Sequence, residues 1–372
     1  MGKKKILFIM TSLGGGGAEK VLLTMLKNFD YTQFDVSLCV ISNTGAYLNE
    51  VPSQVHLVPI YQSPNSLQAR IGFNLYSKLR CTWVERFSAR RAIKEHYDTI
   101  ISFCEGRSVK FHGYLMDRAK RNISWVHCDL FTMHCTVGPV LSANDEKRLY
   151  EAMDEVVFVS KESREQFKKL GYALKQSSVV YNPIDKEYIQ SFINNDKIND
   201  LFTIVLCGRY TPVKGYDRMI RVAKRLKDVG FSFQVNFIGE GEERENLQQL
   251  INSLELDDCV SLLGFKNPPY EEMAKADLFV STSFTEGYPV NICEAICLGL
   301  PIIATRCTGT TEILGENGEY GMIAEQNEDS IFECIKYMII DGDLLECYKQ
   351  KAISASQKFS IGKTMNEIYD VL

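Results

Sequence analysis

Residues 5–28 read KILFIMTSLGGGGAEKVLLTMLKN. The uninterrupted apolar run from Ile6 to Met10 predicts a strand. A loop with four glycines, Gly14 to Gly17, follows that run, and Val21, Leu22, Met25 and Leu26 then recur at helical spacing. Strand, glycine loop and helix make a βα unit. Short β-rich runs follow at Phe34–Ile41, Val55–Val58, Thr99–Phe103, Ile123–Val126 and Glu155–Ser160, with helical stretches between several of them. Such alternation predicts a doubly wound parallel sheet.

The pattern restarts after Tyr181-Asn182-Pro183. A polar stretch at 194–200 (NNDKIND) leads into a new strand, Phe202–Cys207, that again runs into glycine. Further strands are expected at Ser232–Ile238, Cys259–Leu263, Leu278–Ser281 and Pro301–Ala304, and an amphipathic helix at Tyr216–Val229, which Gly230 closes. Two α/β domains are therefore expected, 1–190 and 191–372. Charge divides with them: 1–190 holds 25 Lys+Arg against 19 Asp+Glu, and 191–372 holds 17 against 28.

Composition narrows the class. Over 372 residues, 45% are apolar and 24% charged, which excludes disordered and fibrous chains. No apolar run approaches the ~18 residues of a membrane span, and the run behind Lys3 to Lys5 is too short for a secretion signal. The twelve cysteines include no C-x-x-C pair and read as free thiols of a cytoplasmic protein. The spacing of His127-Cys128 and His134-Cys135 matches no standard zinc site. Between Asn65 and Tyr97, Arg70, Lys78, Arg80, Arg86, Arg90, Arg91 and Lys94 outnumber Glu85 and Glu95, and Phe73, Leu75, Tyr76, Leu79, Trp83 and Phe87 lie among them. Segment 65–97 is expected either to dock on an anionic membrane or to be a helix with a charged face. No nucleic-acid partner is expected.

Open α/β sheets bind ligands at the carboxyl ends of their strands. There, Gly208-Arg209 and Lys214-Gly215 set two cations beside a glycine turn and a helix start, a diphosphate-binding pattern; the plain alternative is two solvated surface cations. In residues 281–294 (STSFTEGYPVNICE), Glu286 precedes a helix that Pro289 can open, and Glu294 lies within it. The amides of Gly287, Tyr288 and Val290 would face anionic oxygens with the helix dipole behind them. Otherwise Glu286 is a cap and Glu294 an ordinary helix carboxylate. Gly15 and Gly16 leave their backbone open to a phosphate, but the second strand ends Val40-Ile41-Ser42-Asn43 without the acid that a nicotinamide or flavin nucleotide requires. His127 directly follows a strand, at the carboxyl edge. Asp341-Gly342-Asp343 follows a helix and reads as a turn.

Together these segments resemble the retaining glycosyltransferases of family 4, which have the GT-B fold. Leu13 to Lys20 is similar to that family's N-terminal loop, Asn182-Pro183-Ile184-Asp185 to its domain junction, Gly208-Arg209 with Lys214-Gly215 to its phosphate pair, and Glu286 to Glu294 to its E-x7-E signature. The resemblance implies two Rossmann-like domains facing each other across a cleft, an acceptor domain and then a donor domain, with the last helix, about 361–372, crossing back to the first. It assigns Glu286 to the donor sugar, Glu294 to the ribose, Arg209 and Lys214 to the diphosphate, His127 to the reacting sugar and Phe265, within Gly264-Phe265-Lys266, to the base. It also implies a nucleotide-sugar donor, a UDP-sugar before GDP-mannose, a glycan or lipid-linked acceptor in cell-surface polysaccharide or glycolipid assembly, and neither metal nor other cofactor. Gly287-Tyr288-Pro289 departs from the Gly-Phe-Gly of many members. An inverting GT-B enzyme, a nucleotide-sugar epimerase and a non-catalytic sugar-binding protein of the same fold are the alternatives.

Overall fold

The computed structural model describes residues 2–134, 136–138, 140–193 and 201–372; Cys135 of the His-Cys set and the 194–200 stretch lie outside the described residues. The chain forms two compact units, residues 1–183 with 362–372, and residues 184–361. Unit 1 runs β1 (Lys4–Met10), α1 (Gly17–Lys27), β2 (Phe34–Ser42), β3 (His56–Tyr61), α2 (Leu67–Leu79), α3 (Trp83–Ala92), β4 (Tyr97–Ser102), α4 (Arg107–Gly113), β5 (Ala119–Val126), α5 (Ala143–Ala152), β6 (Glu155–Phe158), α6 (Lys161–Lys168) and β7 (Ser177–Val179). Among the described residues its parallel sheet has the order β3-β2-β1-β4-β5-β6-β7.

Unit 2 runs α7 (Lys186–Gln190), β8 (Phe202–Cys207), α8 (Tyr216–Asp228), β9 (Phe233–Ile238), α9 (Arg244–Ser253), β10 (Val260–Gly264), α10 (Tyr270–Ala274), β11 (Leu278–Ser281), α11 (Val290–Cys297), β12 (Ile302–Thr305), α12 (Thr310–Leu314), β13 (Met322–Ala324), α13 (Glu328–Ile340) and α14 (Gly342–Ser356). Its parallel sheet repeats the plan as β10-β9-β8-β11-β12-β13. In each sheet the strand order reverses beside the first strand, between β1 and β4 and between β8 and β11. Doubly wound sheets open a ligand crevice at that point.

The apolar runs explain the strands. Ile6 to Ile9 and Ile204 to Leu206 are enclosed because helices cover both faces of each sheet. On α8, Met219, Ile220, Val222, Ala223 and Leu226 are buried, while Arg221 and Lys224 pair with Asp217 and Asp228 at 2.8 and 2.5 Å on the outer face. Val229 caps the helix and Gly230, at φ +91°, turns the chain away.

Several boundaries differ from the sequence reading. The units change over after Pro183 because Ile184 and Ile189 bury in the core of unit 2, against elements such as Tyr270 and Ala276. Strands β7 and β13, three residues each, carry too short a pattern to detect. Segment 65–97 forms two helices, parted where Arg80 adopts φ +52°. Asp341 is the N-cap of α14, its carboxylate accepting from the Leu344 amide at 2.9 Å.

Helix α15 (Ile361–Val371) belongs to unit 1 from Gly362 onward. Tyr369 stacks on Phe34 at 5.2 Å and meets Phe29 edge-on at 5.4 Å. Its hydroxyl donates to the Asn28 carbonyl and accepts from the Asp30 amide, 3.2 and 2.8 Å away. Thr99 Oγ1 donates to the Leu372 carbonyl at 2.9 Å.

Candidate active site

Three loops meet where the strand order of unit 2 reverses. Gly208 donates its amide to the Ile238 carbonyl at 2.9 Å, and Gly239 to the Gly264 carbonyl at 3.0 Å. A Cβ on Gly239, at φ +149°, would stand 1.9 Å from the Gly208 carbonyl oxygen, so only glycine lets these loops close up. Past Gly208 the chain makes one 3₁₀ turn at Pro212–Lys214 and enters α8 through Gly215, at φ +58°.

Lys214 Nζ lies 2.6 Å from Glu286 Oε1, and the two side chains are only 19% and 14% exposed. Ser283 Oγ donates to the same oxygen at 2.6 Å. Backbone bonds hold the two loops together: the Phe284 amide donates to the Val213 carbonyl, and Thr282 Oγ1 to the Lys214 carbonyl, both at 2.8 Å. An ammonium and a carboxylate are thus held, mostly out of water, at the carboxyl edge of β8 and β11. Glu294, the fifth residue of α11, is buried, and Tyr270 OH donates to its Oε1 at 3.0 Å. Burial first, then the carboxylate of Glu294, push the Tyr270 hydroxyl far above its usual range, so it stays a donor. Pro289 stands at the N-cap, one place before the first helical residue, Val290. Asn291 Nδ2 ties the start of α11 to the Cys207 carbonyl at 2.7 Å.

Sequence reasoning missed the residues that aim this loop. Thr305 Oγ1 donates to the Ser283 carbonyl at 2.6 Å. Gln326 Nε2 donates to the carbonyls of Ser283, Phe284 and Arg306 at 3.0 to 3.3 Å. Buried Arg218 donates Nη1 to Gln326 Oε1 at 2.8 Å and Nη2 to the Thr282 carbonyl, while its guanidinium lies 3.8 Å from the Phe284 ring centre. An arginine on the apolar face of an amphipathic helix was the one available signal. Tyr288 leads into Pro289, and a Cβ on Gly309 would stand 2.6 Å from the Gly287 carbonyl oxygen, which fixes the loop from the far side. Arg209 is exposed, next to Gly208, and Phe265, 38% exposed, stands at the end of β10 with β9 between it and β8.

The remaining expected residues lie in unit 1. Gly15 adopts φ +98°, and Gly16 is the extended N-cap of α1. His127 follows β5, its ring 4.7 Å from that of Phe103, and its Nε2 is enclosed without a hydrogen-bond partner. Glu105, another residue missed from sequence, accepts the amides of His127 and Cys128, the latter at 2.8 Å, and so sets the turn after β5. His134 is engaged by Glu146, which also accepts from Tyr172 OH at 3.1 Å.

Burial pushes the imidazoles of His127 and His112 down to about 4 from 6.5. The unfolded chain then binds protons that the fold refuses, so their contribution to stability is complete above pH 6.5 and is lost as pH falls toward 4. By pH 5 the loss is about 2 kcal/mol per imidazole. The urea midpoint is expected to fall between pH 7.5 and 5.0 more steeply in the wild type than in His127→Gln. Equal slopes would show that His127 titrates alike in both states.

Two doubly wound parallel sheets, each with its loops gathered at the strand-order reversal, define the GT-B architecture. Residues 15–188 match the family described as Glycosyltransferase Family 4, and residues 189–355 the one described as Glycosyl transferases group 1. The chain belongs to the family 4 glycosyltransferases. It is 27% identical over 371 residues, 96% of each chain, to the N-acetylgalactosamine-N,N'-diacetylbacillosaminyl-diphospho-undecaprenol 4-alpha-N-acetylgalactosaminyltransferase of Campylobacter jejuni. The fold is shared with Anabaena HepE, solved in complex with UDP and glucose, at TM-score 0.79 and 20% identity over 99% of each chain. It is shared as well with the sucrose-phosphate synthase of Thermosynechococcus elongatus, at TM-score 0.80 and 15% identity over 99% and 98%.

Proposed function

We propose that this chain transfers a sugar, with retention, from a nucleotide-sugar donor held in unit 2 to a lipid-linked or glycan acceptor in cell-surface polysaccharide or glycolipid assembly. The Lys214–Glu286 pair at the β8/β11 reversal carries the reading. A carboxylate for sugar hydroxyls stands in contact with a cation for a phosphate, as the reacting end of a nucleotide sugar needs. Lys214 and Arg209 stabilise the departing diphosphate, with the loop amides of Gly287 to Val290, in the role a divalent cation plays elsewhere. Glu294 takes the ribose and Phe265 the base; His127, Gly15 and Gly16 serve the reacting sugar. The bond between the anomeric carbon and the phosphate oxygen breaks with its electron pair going to the diphosphate, the acceptor oxygen attacks on the same face, and its proton passes to the leaving phosphate oxygen. No carboxylate nucleophile is needed, unlike in most retaining glycosidases.

A UDP-sugar is the first donor choice and GDP-mannose the second. The names of the relatives support the first: the Campylobacter enzyme moves N-acetylgalactosamine and HepE was solved with UDP. A panel of nucleotide sugars, read by release of UDP or GDP, is the test. Release is expected from one donor, unchanged by a metal chelator; no release from any donor in the presence of a lipid-diphosphate acceptor panel argues for a non-catalytic binding protein.

The cytoplasmic face of a membrane is where such an acceptor is met. No helix among the described residues is long and apolar enough to cross a membrane. On α2 and α3, Leu67, Leu79 and Trp83 are at least 70% exposed, and Trp83 stacks on Phe87 beside Arg86 and Arg91. Arg90 is already neutralised by a two-pronged contact with Asp117 at 2.7 and 2.8 Å. The remaining cations can each add about 1 kcal/mol on an anionic surface. Flotation with anionic vesicles is expected to recover the protein in a salt-sensitive way, and Trp83→Ser with Leu79→Ser to halve recovery or more; equal recovery on neutral vesicles removes this contact.

A further inference from the structure

Unit 1 contains a cavity of about 330 Å³ at the carboxyl end of β2. Ser42, the last residue of that strand, forms one wall, Asn65 and the face of α2 bearing Arg70, Phe73 and Asn74 another, and Arg107 at the start of α4 a third. Residues 70, 73 and 74 share one face of the helix by their spacing.

The lining includes two guanidiniums, two carboxamides, a hydroxyl and an aromatic ring, and no carboxylate. Neither Arg70 nor Arg107 forms an ion pair among the described residues. The nearby acid is spent elsewhere: Glu85 Oε2 is 2.6 Å from Lys110 Nζ, both nearly fully buried, and accepts from Tyr114 OH at 3.0 Å. Lys110 lies 3.1 Å from the centre of the Tyr76 ring on α2. This buried cluster fastens α2 and α3 to α4 and consumes the Lys110 charge, so the wall is fixed and its two arginines remain uncompensated. Paired guanidinium forks suit the oxygens of a phosphorylated ligand. Beyond Phe73, which is half exposed, the helix carries the exposed apolar side chains of Ile71 and Leu67. A polar, doubly cationic cavity opening beside an apolar ridge fits a diphosphate esterified to a hydrocarbon chain.

We propose that this cavity binds the diphosphate of a lipid-linked acceptor, with Arg70 and Arg107 as its two clamps and the α2 ridge as support for the first carbons of the lipid. The inference rests on the lipid-linked acceptor of the proposed function and places that acceptor's charged group. The test is calorimetry of farnesyl diphosphate and inorganic pyrophosphate with the full chain, in saturating UDP and GDP to fill any nucleotide site. Farnesyl diphosphate is expected to bind, to bind more tightly than pyrophosphate, and to weaken at least tenfold in Arg70→Ala/Arg107→Ala while Lys214→Ala leaves it unchanged. Arg70→Lys/Arg107→Lys should recover part of the affinity, and circular dichroism should show all variants folded. Absence of binding to the wild type, equal affinity in the double alanine variant, or displacement of farnesyl diphosphate by the nucleotides would each overturn the proposal. UDP and GDP binding measured alone reports on the donor site separately, since Lys214→Ala is expected to weaken it and the arginine variants are not.

Discussion

Lys214→Ala is expected to weaken nucleoside diphosphate binding ten- to a hundredfold and to cut turnover at least a hundredfold, whereas Glu286→Ala is expected to abolish turnover while binding the same nucleotide as tightly as the wild type or more tightly. The asymmetry comes from the 2.6 Å contact between them. On the proposed roles, removing the ammonium takes away a charge-assisted hydrogen bond to the diphosphate, of about 1.5 to 3 kcal/mol, and again stabilisation of the charge that grows on the leaving group. Removing the carboxylate does the reverse to the nucleotide: the cation no longer divides itself between Glu286 and phosphate, and a nearby negative charge is gone. What is lost, on the proposed roles, is the contact with the sugar, which free nucleotide does not have. Calorimetry and initial rates on both variants make the comparison. If folded Glu286→Ala no longer bound nucleotide, the roles given to the two carboxylates would have to be exchanged.

Gly239→Ala is expected to lower the melting temperature of unit 2 by roughly 6 to 12 °C and to remove donor binding. The new methyl would sit 1.9 Å from a backbone oxygen that no rotamer change can move. Either the Gly208 turn shifts or the β9 loop does, and a left-handed residue with a side chain adds strain of its own, on the order of 3 kcal/mol together. Because Gly208 leads directly to Arg209 and Lys214, displacement of that turn misplaces both cations. Gly230→Ala, at φ +91° but with open space around it, serves as the control and should cost less. Melting followed by circular dichroism, with nucleotide titration, distinguishes a local clash from a general glycine effect; equal losses in both variants would leave only strain.

The strands were readable where burial on both faces leaves an unbroken apolar run, as at Ile6–Met10 and Phe202–Cys207, and unreadable where three residues pair at a sheet edge, as in β7 and β13. The carboxylates and cations of unit 2 were legible because each belongs to a loop or helix start that directly follows a strand: Arg209 and Lys214 lie in the glycine-bounded turn after β8, and Glu286 and Glu294 flank the proline at the start of the helix after β11. The supporting set was not. Gln326, Arg218 and Tyr270 act through partners 20 to 108 positions away in the chain, distances at which no spacing rule operates. Glu105 escaped notice for another reason: its carboxylate serves backbone amides, and an acid after a strand leaves no mark that distinguishes this from solvation.

The return of α15 to unit 1 imposes an order of events on synthesis. Phe29, Phe34 and the hydroxyl of Thr99 leave the ribosome early, yet Tyr369 and the Leu372 carbonyl that complete them come only after unit 2. At translation speeds of 5 to 20 residues per second, the residues between 183 and 362 take roughly 10 to 35 s to emerge. For that interval the first-made unit waits with an aromatic notch open, and at its end the second-made unit has all of its own chain while the first still lacks 362–372. The nascent protein therefore finishes in reverse: unit 2 can close first, and the older half is sealed only by the turns of α15.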